Sequence, residues 1–334
     1  MKKLYPLAAV ASLAFAAAIT LGFTPARSGD LGGSCCADLE ERVAELEATT
    51  AKKGNRKVTV EVYGQVSKSL LWIDAGSVKD GVVVDNANSP TRFGFTGTAK
   101  INPNTTAGYR IEIGAGDELS IRQSHLWIEG VAGRVTLGRA STATDGISEI
   151  SLANTNVANL PSNLYGIIVD GARKDVLRYD TPVFGGFTAG ASWTTGNEYD
   201  LSLRYSGEGA GIRFAAGIGY ADEIIGKRIS GSASAMHLQS GLFLGLTAGQ
   251  FKVEGFDPVR AYHVTAGIET KAFTSLGATT LFGEYGRLTY VDLVGDGWGL
   301  GAVQAIDAAA MDIFASYRSI EDINVMMVGS RIKF

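Results

Sequence analysis

From Lys57 to the C-terminus, apolar and polar residues alternate with a period of two, and a pattern sustained for that long leaves almost no fold except a large β-sheet. Asp200, Ser202 and Arg204 alternate with Tyr199, Leu201, Leu203 and Tyr205. Arg110 and Glu112 alternate with Tyr109, Ile111 and Ile113, and Asp312, Ser316 and Arg318 with Ile313, Ala315 and Tyr317. Each strand therefore has one apolar and one polar face. About sixteen such segments can be counted, an even number that suits a closed antiparallel barrel.

Segment length separates a membrane barrel from a soluble sandwich. Many segments run to about nine to twelve residues, enough for a tilted strand to cross a bilayer and more than the usual soluble strand. The connections also alternate in length. Longer ones (Asp74–Ser89, Ala140–Lys174, Ala221–Gly226, Glu254–Val259 and Thr289–Asp296) fall on one side. Short ones (Gly130–Ala132, Pro182–Gly186, Gln239–Gly241 and Ala309) fall on the other. In hydrocarbon every backbone N–H and C=O must be paired, so the last strand has to meet the first. The last strand carries Arg331 and Lys333 on one face and Val328, Ile332 and the terminal Phe334 on the other. A strand ending in Phe334 reads as an assembly signal for barrel-assembly machinery.

The compartment is set at the other terminus. Lys2 and Lys3 precede an apolar run from Leu4 to Phe23, followed by Thr24, Pro25 and Ala26. This is the layout of a secretory signal peptide, cut near Ala26. No later apolar run is long enough for a membrane helix, so any span is β. Residues 27–56 read as a periplasmic linker before a barrel over 57–334. Within it, Leu39, Val43 and Leu46 are spaced like a coiled-coil seam about two heptads long, opened by Asp38 and Glu41 as a capping box. A solvated helix or frayed linker fits that stretch equally well. Cys35 and Cys36 are the only cysteines and leave both an interchain disulfide and a free thiol pair open. A net charge of −4 gives no basic stripe for nucleic acid.

The long connection over 140–174 stands apart. Its stretch from Ser141 to Ala172 carries Asp145, Glu149 and Asp170 and no lysine or arginine. A structureless loop of this length is usually functional. It is expected to fold into the barrel and narrow the bore. An enzyme would need a nucleophile and base or paired acids; the chain has three histidines, His125, His237 and His263, and no G-x-S-x-G elbow. Nothing calls for a metal or other cofactor. Tyr63, Trp72, Trp127, Tyr205, Tyr220, Tyr285 and Tyr317 are expected in interfacial girdles. The stretch from Ile121 to Glu129 can be phased either way. One phase turns Arg122 inward and His125 and Trp127 outward, and an outward His125 or Lys68 would be costly against lipid, which hints at a neighbouring subunit there.

With these features in place, the chain resembles the porins of alphaproteobacteria, a branch of the general bacterial porin superfamily. The resemblance rests on Cys35 to Lys57, Val62-Tyr-Gly-Gln65, Thr91-Arg-Phe-Gly-Phe95, Arg122-Gln123, Val135-Thr-Leu-Gly-Arg139 and Phe334. It implies a sixteen-stranded homotrimeric barrel in the bacterial outer membrane. Its third outer loop would fold inward, and ions and small hydrophilic solutes would diffuse through a water-filled channel. A substrate-specific channel or an envelope-tethering barrel is the alternative. The resemblance also implies loop acids facing a basic wall: Asp145, Glu149 and Asp170 against Arg92, Arg122 and Arg173 or Arg178. Arg110 and Glu112 lie beside Arg92 by strand parity. Gln65 stands where related porins often have lysine.

Overall fold

The computed structural model describes residues 57–116, 118–159, 170–291 and 293–334. They form a closed antiparallel β-barrel. In chain order the strands are β1 (Glu61–Ala75), β2 (Val78–Asp85), β3 (Arg92–Asn102), β4 (Thr105–Ala115), β5 (Leu119–Gly130) and β6 (Gly133–Ser141). They continue as β7 (Arg173–Asp180), β8 (Phe187–Thr194), β9 (Glu198–Gly209), β10 (Ile212–Glu223), β11 (Gly226–His237) and β12 (Leu242–Lys252). The last five are β13 (Val259–Thr270), β14 (Thr279–Tyr290), β15 (Leu293–Ile306), β16 (Met311–Ile320) and β17 (Ile323–Lys333). The expected signal peptide over 1–26, the helix over 38–53 and the Cys35–Cys36 pair fall outside the described residues.

Apart from β2 and β3, consecutive strands pair as antiparallel neighbours, and β1 pairs with β17 from Gln65↔Lys333 to Asp74↔Asn324, so the sheet has no free edge. Closure satisfies the backbone within the sheet, which hydrocarbon requires. One strand position is built from two pieces. The C-terminal part of β1 pairs with β2 (Lys68↔Asp85 to Ala75↔Val78), and its N-terminal part pairs with β3 (Glu61↔Thr96 to Gln65↔Arg92). The 17 strands therefore fill 16 positions. Residues 78–85, expected to lie in a long connection, are strand, and the chain leaves the ladder only at 86–91.

The expected alternation of long and short connections does not hold. Ladder pairing runs almost to the tip of several hairpins, as at Glu223↔Gly226 and Tyr290↔Leu293, which leaves two-residue turns where longer connections were expected. At the same end of the barrel the connection over 142–172 is the exception, and it is the third there, after those following β1 and β4.

Burial is inverted relative to a soluble protein. Leu126, Leu137, Leu201 and Ile218 are exposed, whereas Glu112, Asp200, Asp312 and Arg331 are buried. Such a wall suits lipid outside and a polar interior. Strand β5 carries a bulge: Glu112 pairs with Gln123 but Ile113 pairs with Ile121, leaving Arg122 as the extra residue. An extra residue resets the phase of the strand beyond it. Arg122 therefore points inward and so do His125 and Trp127, correcting the expectation that an inward Arg122 excludes them. The Trp127 indole fits only because residue 108 is glycine: a Cβ there would lie 2.2 Å from the ring. Tyr63 also faces inward, with its hydroxyl on Glu112, so neither it nor Trp127 belongs to a girdle. Trp72, Tyr285 and Tyr317 do lie exposed on the outside.

Candidate functional site

The connection over 142–172 enters the barrel, and its residues 142–159 follow the inner wall. At its root Asp200 of β9 accepts hydrogen bonds from the Thr144 N–H at 3.0 Å and the Thr144 hydroxyl at 2.6 Å. Arg204, four residues further along on the same face, donates to the Asp145 carbonyl at 2.7 Å. The loop then passes β11 and β12, where Ser232 donates to the Ile147 carbonyl and Thr247 to the Ser148 carbonyl. Farther on, the Asn154 N–H donates to Glu269 at 2.8 Å and its side chain to Asp312 at 3.0 Å. Arg318 of β16 donates to the Ala158 carbonyl at 3.0 Å.

Apolar contacts reinforce this path. Ala153, Val157 and Ala158 share one buried cluster with Met236, Phe243, Phe282, Val303, Phe314 and Met327, with Leu71 and Leu152 packed against it. The inner wall thus carries an apolar patch on β11, β12 and β14 to β17, set among the polar anchors, and the loop covers it. Phe243, Phe282 and Phe314 are lumen-facing aromatics in strand register but do not meet water.

Among the described residues, the inner face of β3 to β5 holds a cluster of basic side chains around one acid, with Tyr63 of β1 beside it. Glu112 of β4 accepts from Arg122 Nε at 2.8 Å, and its other oxygen lies 3.4 Å from Arg110 and 3.8 Å from Arg92. Tyr63 joins the group: it donates to Glu112 at 3.1 Å and accepts from Arg110 Nε at 2.6 Å. Arg173 lies close enough to Arg122, Asp145, Glu112 and Glu149 to feel each charge. Three arginines thus converge on one carboxylate, with a fourth nearby.

Other expected site residues are placed differently. Arg178 makes a fork to Asp180, with both contacts at 2.8 Å, and its remaining nitrogen donates to the Ser141 and Thr142 carbonyls, holding the root of the loop. The amide of Gln65 donates to Ser89 and Pro90 in the 86–91 interruption. Asp145 is 2% exposed and Asp170 8% exposed, under the loop, whereas Glu149 is partly exposed. Asp170 accepts from the N–H groups of Ile147 and Gly171. Its carboxyl is pushed up to about 7, by burial first and by the Asp145 charge second.

This shift has a sign. A carboxyl raised in the folded state holds a proton there that the unfolded chain has already lost, so attachment of the loop root weakens as pH rises from about 4 to about 7 and levels off above. Loop proteolysis in the folded barrel is expected to speed up between about pH 4 and about pH 7 and to level off above. In Asp170→Asn, which keeps the accepting oxygen, the rate should be flat over that range. A wild-type rate that falls with pH would overturn the assignment.

Residues absent from the sequence-based site, Asp200, Arg204, Arg318, Asn86 and Asn88, do much of the holding. Strand parity had put the first three on a polar face, but only the course of the loop selects them. Phe334 closes the seam, exchanging hydrogen bonds with Gly64 at 2.8 and 3.1 Å.

A narrowed, polar-lined β-barrel with a loop folded into it defines a channel-type protein, and comparison with known proteins agrees. The model of the Gram-negative porin family matches residues 6–324, and the chain belongs to that family. The major outer membrane protein P.IB of Neisseria sicca is 28% identical over 186 residues, 47% of this chain and 52% of that protein. The chain thus spans about half the length of that curated relative. Solved structures share the fold, among them the following two. OmpT of Vibrio cholerae in a trimer form has a TM-score of 0.64 at 14% identity, covering 83% of this chain and 99% of that one. An anion-selective porin from Comamonas acidovorans has a TM-score of 0.62 at 15% identity, covering 83% and 100%. Family and outer-membrane relative together place the chain in the bacterial outer membrane.

Proposed function

We propose that the chain is a homotrimeric outer-membrane channel of the alphaproteobacterial branch, through which ions and small hydrophilic solutes diffuse passively, with small anions favoured. The observation that carries the preference is the convergence of Arg92, Arg110 and Arg122 on the single carboxylate of Glu112, which leaves that wall positive. The opposing loop does not balance it. Asp145 and Asp170 are buried as struts of the loop root, leaving Glu149 as the acid nearest the bore. A narrow neck whose wall carries more arginines than acids lowers the barrier for anions and raises it for cations. The anion-selective relative from Comamonas acidovorans is consistent with this reading.

A planar-bilayer measurement in a potassium chloride gradient tests it. The reversal potential is expected to carry the sign of chloride, by a severalfold permeability ratio. A potassium-signed potential would discard the anion preference and leave the channel standing.

The trimer is supported by charge on the outer face. Ser124, Arg139 and Asp175 stand in register and exposed on the outside of β5, β6 and β7, and Lys68 pairs with Asp85 at 3.0 Å on β1 and β2. Charges facing lipid at mid-depth cost about 2–4 kcal/mol each for lysine and arginine. A second copy covering these strands removes that cost, and OmpT of Vibrio cholerae has been seen as a trimer. Elsewhere the outer face meets outer-membrane lipid. The C-terminal strand ending in Phe334 is the segment offered to barrel-assembly machinery. Unheated electrophoresis should give a trimer band, and Arg139→Glu should convert it to monomer.

A further inference from the structure

The interruption between β2 and β3 is a built turn that points inward. Asn86, Asn88 and Ser89 are 1%, 3% and 3% exposed, values that belong to an interior and not to a surface loop. The turn closes on itself, with the Asn88 N–H donating to the Asn86 side chain at 3.0 Å and the Ser89 N–H to the Asn86 carbonyl at 3.0 Å. It is held to the wall from both sides of the barrel seam. Gln65 of β1 donates to the Ser89 carbonyl at 3.0 Å, the Ser89 hydroxyl at 2.8 Å and the Pro90 carbonyl at 2.9 Å. Arg331 of β17 donates to the Ser89 hydroxyl at 2.9 Å and is itself fixed by Asp312 at 2.6 Å.

What the turn holds is the far part of the constriction loop. The Asn86 side chain donates to the Val157 carbonyl at 2.9 Å, and the Asn88 side chain donates to the Asn159 carbonyl at 2.8 Å. Both are neutral amide donors on backbone acceptors, so the contact carries no charge that would perturb the bore. Neither carbonyl could go unpaired at this depth without loss.

We infer that Asn86 and Asn88 are positioning residues that clasp the far part of the constriction loop and set the bore of the neck. Residues 142–159 are then a fixed wall, anchored at the root by Asp200 and around Val157 and Asn159 by the clasp, and not a gate that swings under voltage. The inference rests on the channel reading above.

Each buried hydrogen bond lost shifts the balance between attached and detached loop by about fivefold. With the two acting independently, Asn86→Leu with Asn88→Leu raises the detached fraction about 25-fold. In single-channel recordings this variant is expected to show larger open-channel noise, a lower closing voltage and entry of larger uncharged polymers, at unchanged unheated mobility of the folded trimer. Gln65→Leu, which removes three of the hydrogen bonds that hold the turn to the wall, leaves Arg331 on Ser89 and touches neither asparagine, should move the same readouts in the same direction by a smaller amount. Asn88→Gln, which keeps a donor, should stay close to the parent. Noise, closing voltage and polymer cut-off identical to the parent in the folded double variant would overturn the clasp, as would a silent Gln65→Leu. A parent protein that folds but does not conduct would instead overturn the channel reading, and the clasp's role with it.

Discussion

Val157→Asp is expected to widen the channel without unfolding the barrel. Val157 is fully buried, in the cluster that also holds Phe282, Phe314 and Met327. A carboxylate in that cluster would have no partner, and an isolated buried charge costs more than the few hydrogen bonds and apolar contacts that dock the far part of the loop. The least costly response is for residues 152–159 to leave the wall. The strand ladders do not pass through Val157, so the barrel keeps its heat resistance. Conductance rises, and larger uncharged polymers enter the pore. Noise rises too, because the freed segment now moves within the bore. A variant that folds and conducts like the parent would mean that the loop does not set the neck.

Glu112→Gln should act on selectivity and stability with little change in width, since the two side chains are nearly the same size. The carboxylate is the shared partner of Arg92, Arg110 and Arg122, and its side chain is 3% exposed. Removing one partner of a buried ionic cluster costs about 3–5 kcal/mol. Arg110 is 39% exposed and keeps much of its hydration, so a loss of about 3 kcal/mol is the value expected from denaturant unfolding in detergent. The reversal potential should move further toward chloride at nearly constant conductance. If it moved toward potassium, the three arginines would not be what ions sense in the neck.

The barrel itself was legible because its cause is local and repeated. A strand with lipid on one side and polar groups on the other must alternate, and residues 199–205 do so without exception. The places that were not legible are those where the decisive partner is distant. The run Val78-Lys-Asp-Gly-Val-Val-Val-Asp85 follows a turn, contains Gly81 and breaks alternation with three valines, so it reads as loop until β1 pairs with it. The bulge at Arg122 has no composition signal, yet it alone decides that His125 and Trp127 face the bore. The charge of Asp145 was visible, but its direction depends on Asp200 and Arg204, which capture the backbone of Thr144 and Asp145 from the wall. Asn86 and Asn88 sit in a polar Asn-Ala-Asn-Ser-Pro stretch that resembles any surface loop. Their partners lie 71 residues away.

The clasp and the docking wall both lie at the seam where the barrel closes. Ser89 and Arg331 are 242 residues apart, and Ala158 and Arg318 are 160 apart. Contacts of such long sequence separation form late, after local hairpins have zipped. During assembly the far part of the loop therefore lacks its Arg318 contact, and the clasp its Arg331 support, until β16 and β17 are in place and β17 has found β1. A barrel still open at its seam is wide as well as unfinished, and the step that seals it to lipid also sets its exclusion limit. Permeability and completion are coupled by topology, so a narrow pore is evidence of a closed barrel.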